Sequence, residues 1–398
     1  MNEQRIAYGR QDIHDADIAA VVEVLKSDFL TQGPCVAGFE SAVTQYLDAE
    51  NGTPLYAAAT NSATSALHIA CLALDVGPGD LVWTCANSFA ASGNCARYCG
   101  ADVDFIDIDP TTLNLSIAAL AEKLAQAASS KRLPKVVIPI DFAGRPAPLA
   151  EVRQLARQYG FSIIEDASHA IGSHYQGVKV GAHGLADITV FSFHPVKIIT
   201  TAEGGMTITS NPELARRLSD LRTHGITRDR SRYTRPDEGD WYYEQHELGY
   251  NYRLTDLQAA LGTSQMCRIN TFIDKRHQIR DFYRDALVDL VHDGKLLLAP
   301  EDEAQSRSAL HLYPVQVLKG SGHSRRDVFD ALRQSGIGVN VHYLPIYRHP
   351  YYQKMGFRQG YCPHAELYYE QAISLPMHPG LDITQLEWVA DTLAKALA

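Results

Sequence analysis

Short runs of β-forming residues alternate with amphipathic helical patterns along the chain as far as Asn270. Runs that predict strands lie at 81–85, 103–108, 135–140, 161–166, 187–193 and 205–210. Apolar residues at helical spacing lie before, between and after these runs, at 15–27, 36–47, 63–74, 115–129 and 212–222. Strands that alternate with helices in this way predict an α/β fold, with a mostly parallel sheet flanked by helices.

The pattern changes after Asn270. A helix is followed by strand patterns near 310–317 and 337–342, with a helical pattern at 324–335 between them. A last helix is predicted at 384–398, where Thr384 and Glu387 have the spacing of a capping box. We therefore predict a large domain over residues 1–265 and a smaller α+β domain over residues 266–398.

Composition and charge narrow the classes of partner. The chain has 398 residues, of which 45% are hydrophobic, so it can bury a large core. Its net charge of −10 argues against nucleic acid and anionic membrane surfaces as partners. The first residues are too polar for a signal peptide, and no run of 18 apolar residues occurs. We expect a cytoplasmic protein.

The cysteines indicate neither a disulfide framework nor a metal site. There are seven, an odd number in a chain too large to need covalent staples. Cys95 and Cys99 are four residues apart, but no CxxC or CxxH pair accompanies them. We expect reduced, mostly buried thiols and no bound metal.

Lys197 stands on the connection between two predicted strands, in the stretch DITVFSFHPVKIITTAEGGMTITSN. Polar residues and glycines surround it, which indicates a bend where the backbone can approach a ligand. A lysine with a lowered pKa forms Schiff bases with aldehyde cofactors and can carry protons. A structural loop lysine is the alternative.

A carboxylate upstream strengthens the first interpretation. In FSIIEDASHAIG, Asp166 follows four β-formers and should lie at the C-terminal end of a buried parallel strand, where open α/β sheets bind ligands. An aspartate there can keep the ring nitrogen of pyridoxal phosphate (PLP) protonated. A cap or turn residue is the alternative for Asp166 alone, but the pair with Lys197 is more specific.

Two further features fit a phosphorylated, planar cofactor. The helix that starts near Ala63 follows Asn61 and Ser62, which are suitable N-caps, and its free N–H groups can bind an anion. Phe89 follows a predicted strand, where its ring could stack on a cofactor. The alternatives are an ordinary buried helix and a core aromatic residue.

Several motifs in the same order resemble the DegT/DnrJ/EryC1/StrS sugar aminotransferases, which are PLP enzymes of fold type I. The resemblance covers nearly the whole chain. The motifs are TQGP at 31–34, NSATSALH at 61–68, EDASHAIG at 165–172, FSFHPVK at 191–197, AEGG at 202–205 and GYNYRLTDLQAA at 249–260. The resemblance implies a large PLP-binding domain and a smaller C-terminal domain.

The resemblance also implies roles for individual residues. Lys197 would bond covalently to PLP and Asp166 would pair with the ring nitrogen, so both would be catalytic. The implied cofactor contacts are His169 near the ring hydroxyl, Ala63, Thr64 and Ser192 at the phosphate, and Phe89 on the ring face.

Asn251 would reach the phosphate of a neighbouring subunit, with Arg253 as the alternative, so a homodimer with shared active sites is implied. Weaker candidates for contacts with the substrate are Tyr8, Thr31, Gln32, Arg253 and His342.

Within the family, Lys197 favours transamination, since related sugar dehydratases resemble this pattern but carry histidine at its position. The resemblance implies L-glutamate as donor and a UDP-linked 4-keto-6-deoxy-N-acetylhexosamine of pseudaminic acid biosynthesis as acceptor. Another nucleotide-linked keto sugar remains an alternative, either GDP-4-keto-6-deoxymannose or a UDP-linked 4-keto pentose. A PLP-binding regulatory protein without turnover is the alternative from a different class.

Overall fold

A seven-stranded sheet forms the centre of the computed structural model, which describes residues 5–47 and 52–398. In chain order its strands β1 to β7 are Tyr56–Thr60, Leu81–Cys85, Asp102–Ile106, Val136–Ile138, Ser162–Asp166, Ile188–Ser192 and Gly205–Thr209. Across the sheet they follow the order β1-β7-β6-β5-β4-β2-β3. The neighbours β6–β5, β5–β4, β4–β2 and β2–β3 are parallel pairs. Strand β7 pairs antiparallel with both β6 and β1. The predicted mostly parallel α/β sheet is confirmed.

The helical patterns predicted at 15–27, 36–47, 63–74, 115–129 and 212–222 correspond to observed helices, and further helices lie between β2 and β3 and between β4 and β5. In the described residues the α-helices α1 to α14 are Asp15–Leu25, Pro34–Leu47, Ala63–Ala73, Ala91–Tyr98, Ile117–Ser130, Leu149–Tyr159, Pro212–Leu221, Asp256–Met266, Ile269–Ala286, Val288–His292, Arg325–Gln334, Pro350–Gln353, Pro363–Gln371 and Ile383–Ala396. The capping box predicted for the last helix is wrong by two residues. Asp382 and Gln385 form it instead, because the Asp382 carboxylate lies 2.8 Å from the Gln385 N–H and accepts its hydrogen bond.

A second, three-stranded sheet lies in the C-terminal part of the chain. Its strands β8, β9 and β10 are Leu296–Leu297, Tyr313–Val317 and Ala372–Leu375, and both pairs are antiparallel. The strand predicted near 310–317 is β9. The strand predicted at 337–342 is wrong, because this stretch pairs first with Ile6 and then with Ser374 through single bridges and forms no continuous ladder.

The first described residues pack against this C-terminal region. Ile6 is buried in the same apolar cluster as Tyr283, Ile337 and Val339. Its carbonyl accepts a hydrogen bond from the Gly338 N–H at 2.6 Å. We propose that the chain divides into two domains near residues 265 and 266, as the sequence suggested. Ile6 precedes this boundary but packs against the C-terminal domain.

The structure also describes the cysteines, the groups that could bind a metal and the helices that could cross a membrane. All seven cysteines are free, and five of them are buried: Cys71, Cys85, Cys95, Cys99 and Cys362. The described residues contain no group of three or more His, Cys, Asp or Glu placed to hold a metal ion. None of the helices in residues 5–47 and 52–398 is long and apolar enough to cross a membrane.

Candidate active site

A cavity of about 740 Å³ opens at the C-terminal ends of the parallel strands. Its volume lies within the range of pockets that bind small molecules, roughly 300–1,000 Å³. Its wall includes residues that follow β2, the ends of β5 and β6, and the connection from β6 to β7. This is the edge at which open α/β sheets bind ligands.

Most of the residues singled out from the sequence meet in this cavity. Those that line it are Tyr8, Ala63, Thr64, Phe89, Asp166, His169, Ser192, Lys197 and His342. Thr31, Gln32, Asn251 and Arg253 are not among its lining residues. Thr31, Gln32 and Asn251 are exposed, whereas Arg253 is half-buried and pairs with Thr60 through a single bridge.

Asp166 is the last residue of β5 and is held rigidly. It is only 5% exposed. Its Oδ2 atom accepts a hydrogen bond of 2.7 Å from the Ser92 hydroxyl. Its Oδ1 atom accepts bonds from the Ser168 hydroxyl at 2.5 Å and from the Ser168 N–H at 3.2 Å. These donors fix the direction of the carboxylate and stabilise its negative charge.

Lys197 lies on the connection between β6 and β7, as predicted. The bend is closed by hydrogen bonds from the Lys197 N–H to the His194 carbonyl and from the Thr201 N–H to the Phe193 carbonyl. Burial lowers the pKa of the Lys197 amine to about 8, although the charge of Asp166 acts in the opposite direction. About a tenth of the amine is therefore neutral and nucleophilic at pH 7, far more than for an ordinary lysine.

The N-terminus of α3 lies at the same cavity, which Ser62, Ala63 and Thr64 line. Ser62 caps this helix by accepting a hydrogen bond from the Ser65 N–H at 3.1 Å. The first-turn amides of a helix have no acceptor within the helix, so those of Ala63 and Thr64 can bind an anion. Ser192 and Gly204 line the cavity as well.

A group of aromatic and imidazole rings forms another wall. His169 is 6% exposed, and its pKa is far below the usual value because of burial, with a smaller contribution from the Lys197 charge. Its Nε2 atom lies 3.2 Å from the Tyr343 hydroxyl. The ring of His311 packs 4.4 Å from the His169 ring, measured between centroids. His342 donates or accepts a 2.8 Å hydrogen bond with the Ser374 hydroxyl.

Sequence reasoning missed several residues of this cavity, among them Ser92, Ser168, His311 and Tyr343. Ser168 and Tyr343 are direct neighbours of predicted residues, so their motifs offered a signal. Ser92 and His311 offered none, because each reaches the cavity only through tertiary packing. The cavity therefore combines an acid, a partly neutral amine, an anion-binding helix terminus and neutral imidazoles.

Comparison with known proteins identifies the family. Residues 11–394 match the DegT/DnrJ/EryC1/StrS aminotransferase family. The chain belongs to this family. The family prediction from the sequence motifs is thus confirmed, and the protein is a PLP-dependent aminotransferase.

Individual relatives match this aminotransferase over almost its full length. It is 36% identical to the UDP-4-amino-4,6-dideoxy-N-acetyl-beta-L-altrosamine transaminase of Campylobacter jejuni, over 98% of this chain and 97% of that protein. Among solved structures, Helicobacter pylori PseC, an aminotransferase involved in pseudaminic acid biosynthesis, matches with a TM-score of 0.87 and 30% identity, covering 99% of each chain. The PLP form of the sugar aminotransferase Spr1654 from Streptococcus pneumoniae matches with a TM-score of 0.85 and 27% identity, covering 99% of this chain and 98% of that one.

The cavity fits PLP on its own geometry. Asp166 offers a fixed carboxylate for the ring nitrogen, Lys197 offers an amine for the aldehyde, and the start of α3 offers amides for the phosphate. At Gly205 the backbone of β7 approaches the start of α3 so closely that a Cβ atom would lie 2.5 Å from the Ala63 nitrogen. This close approach holds the start of α3 against the sheet, so a side chain at this position would displace the amides that face the phosphate.

Gly205→Ala should weaken PLP binding at least about tenfold and destabilise the protein by about 1–3 kcal/mol, because the new methyl group meets backbone atoms that cannot yield locally. PLP titration and thermal unfolding measure the two effects. Gly77→Ala is the matched control, since a Cβ atom at Gly77 meets nothing within 4 Å. Unchanged PLP affinity in Gly205→Ala would contradict a phosphate site beside this strand.

Proposed function

We propose that this aminotransferase moves the amino group of L-glutamate to C4 of a UDP-linked 4-keto-6-deoxy-N-acetylhexosamine. The product would be a UDP-4-amino-4,6-dideoxy sugar for pseudaminic acid biosynthesis. The observation that carries the proposal is the partly neutral amine of Lys197, in one cavity with the fixed carboxylate of Asp166. The names and the near-complete coverage of the Campylobacter and Helicobacter relatives support the choice of sugar.

The residues that would hold the cofactor follow from the cavity. PLP, when bound, supplies an electron sink for carbanion chemistry beside the amino group. Asp166 would keep the ring nitrogen protonated, because its carboxylate is already fixed by Ser92 and Ser168. The amides of Ala63 and Thr64 and the hydroxyl of Ser192 would bind the phosphate. His169 would act near the ring hydroxyl, and Phe89, which is 61% exposed at the cavity, would cover a ring face.

Lys197 would act as the proton carrier in both half-reactions. Its Nζ atom, in the neutral form, would take a proton from the α-carbon of glutamate. In the second half-reaction it would deliver a proton to C4 of the sugar. An amine with a pKa of about 8 suits both directions, since neither its acid nor its base form is scarce near neutral pH.

Tyr8 and His342 line the cavity and support the proposed contacts with the sugar. Asn251 is exposed and lies outside the cavity of its own chain, which is compatible with a role at the active site of a second subunit. We propose a homodimer on this basis and on the family resemblance. Arg253 remains the alternative for this contact, and Thr31 and Gln32 remain predictions as sugar contacts.

The proposed reaction is tested by adding the two substrates in turn to the PLP-loaded protein and following the absorbance of the cofactor. L-glutamate should convert the cofactor to its amino form with release of 2-oxoglutarate, and the UDP-linked 4-keto-6-deoxy sugar should restore the starting spectrum. Both results are expected because Lys197 and Asp166 would serve both half-reactions in the same cavity.

The alternative acceptors serve as controls in the same assay. Glutamate could convert the cofactor, and only GDP-4-keto-6-deoxymannose or a UDP-linked 4-keto pentose could then restore the spectrum. This result would be consistent with an aminotransferase and would reject the proposed sugar. A spectrum that glutamate leaves unchanged would contradict glutamate as the amino donor.

A further inference from the structure

Tyr343 stands at the wall of the cavity on a segment fixed to the central sheet. Its N–H donates a 3.0 Å hydrogen bond to the side-chain oxygen of Asn87, a fully buried residue just after β2. The N–H of Ile346 donates a bond of the same length to the Ala86 carbonyl. Tyr343 is thus positioned by the same strand end that carries Phe89, whose ring centroid lies 6.4 Å away.

The hydrogen bonds of His169 determine whether the Tyr343 hydroxyl donates to His169 or accepts from it. The Nδ1 atom of His169 accepts a hydrogen bond from the Ala143 N–H at 3.3 Å, so Nδ1 carries no proton. Its lowered pKa keeps this imidazole neutral, and a neutral imidazole has its one proton on the other nitrogen. The Nε2–H group must therefore donate to the Tyr343 oxygen at 3.2 Å.

This arrangement leaves the hydroxyl proton of Tyr343 unused. Burial raises the pKa of the Tyr343 phenol, so the hydroxyl stays protonated at neutral pH. In the described residues it has no hydrogen-bond partner other than His169, and Tyr343 lines the cavity. A tyrosine hydroxyl in such surroundings normally finds an acceptor, because leaving it unmet is unfavourable.

We propose that Tyr343 donates its hydroxyl hydrogen bond to an oxygen of the bound ligand, with His169 positioning it from behind. The oxygen is one that carries negative charge during the reaction, either the ring oxygen of PLP or an oxygen of the amino-acid or keto-sugar substrate. The proposal rests on the proposed aminotransferase function. Tyr343 would contact the ligand directly, and His169 would act only by positioning Tyr343.

The test replaces Tyr343 with phenylalanine, which keeps the ring and removes only the donor. A hydrogen bond to a charged oxygen should be worth about a 10- to 100-fold fall in kcat/KM. If PLP holds the acceptor, the absorbance spectrum of the resting holoenzyme will shift before any substrate is added. If a substrate holds it, that spectrum will stay unchanged and kcat/KM will fall in the half-reaction of that substrate.

Tyr368→Phe is the matched control. Tyr368 is fully buried in the same aromatic group, 5.8 Å from the Phe142 ring, and it does not line the cavity. Removal of its hydroxyl should leave both spectrum and turnover unchanged. A Tyr343→Phe enzyme with an unchanged resting spectrum and kcat/KM values within twofold of the wild type would overturn the proposal.

The tautomer of His169 gives a readout that does not need turnover. Nitrogen-15 NMR of the holoenzyme, with the signal assigned by His169→Gln, should find the proton on Nε2. A proton on Nδ1 would mean that Tyr343 donates to His169 instead, and this would overturn the proposal. A failure of the proposed function would instead appear in the wild type, as a cofactor spectrum that glutamate does not change.

Discussion

Lys197→Ala should fold normally and bind PLP without a covalent bond, yet lose turnover by more than about 10⁴-fold. The physical reason is that the cavity then has no nucleophilic amine and no proton carrier, two roles that the same Nζ atom is proposed to fill. Among the described residues that line the cavity, there is no second lysine to replace it. Steady-state turnover and single-turnover absorbance with glutamate measure the loss.

Two further variants sharpen this test. Lys197→Arg keeps the positive charge but cannot become neutral near pH 7, so it should be as inactive as the alanine variant. Lys319→Ala removes an exposed lysine on the C-terminal side and should leave turnover unchanged. Turnover above about a hundredth of the wild-type rate in Lys197→Ala would reject Lys197 as the essential amine.

Asp166→Asn should lower turnover by about 10²- to 10⁴-fold while the protein still binds PLP. Asparagine has nearly the same shape, and its one side-chain oxygen can still accept from Ser168 while its NH2 group faces the Ser92 hydroxyl, but it carries no charge to keep a ring nitrogen protonated. Since the Asp166 charge raises the pKa of Lys197, its removal should lower that pKa further below its value of about 8. The loss of rate would therefore come from the cofactor and not from a less reactive lysine.

The neighbouring carboxyl group of Asp141 provides the control. Burial and the adjacent Glu165 charge raise the pKa of Asp141 well above its usual value, so the negative charge of this carboxyl is disfavoured. Its Oδ1 atom accepts a hydrogen bond from the Ala147 N–H at 2.8 Å, which an asparagine oxygen can also do. Asp141→Asn should change turnover less than about threefold, measured in the same single-turnover assay. Equal losses in the two variants would indicate that Asp166 matters only for folding.

The features that the sequence predicted well are local ones. The strand–helix alternation located the parallel sheet, because period and residue type are local properties of a segment. The meeting of Asp166 and Lys197 at one cavity could be predicted because the ends of β5 and β6 bring the residues at and after them to one edge of the sheet. The N-cap of α3 followed from Ser62 and the small residues after it.

The features that the sequence did not reveal depend on long-range packing. Ser92 bonds to Asp166 across 74 residues of chain, and Tyr343 bonds to His169 across 174. No local pattern encodes such a pairing. The wrong strand at 337–342 has the same origin, because its residues read as β-forming but divide their pairing between Ile6 and Ser374.

The crossing of the N-terminal segment has a consequence for protein engineering. The Ile6 N–H donates to the Gly336 carbonyl, and the Tyr8 carbonyl accepts from the Met377 N–H, so both hold the segment against the C-terminal region. Tyr8 then enters the cavity that the central sheet forms. A cut between residues 265 and 266 would therefore give two fragments that each lack part of the binding site. Such fragments are suited to a complementation assay, in which activity reports their reassembly, and unsuited to separate use.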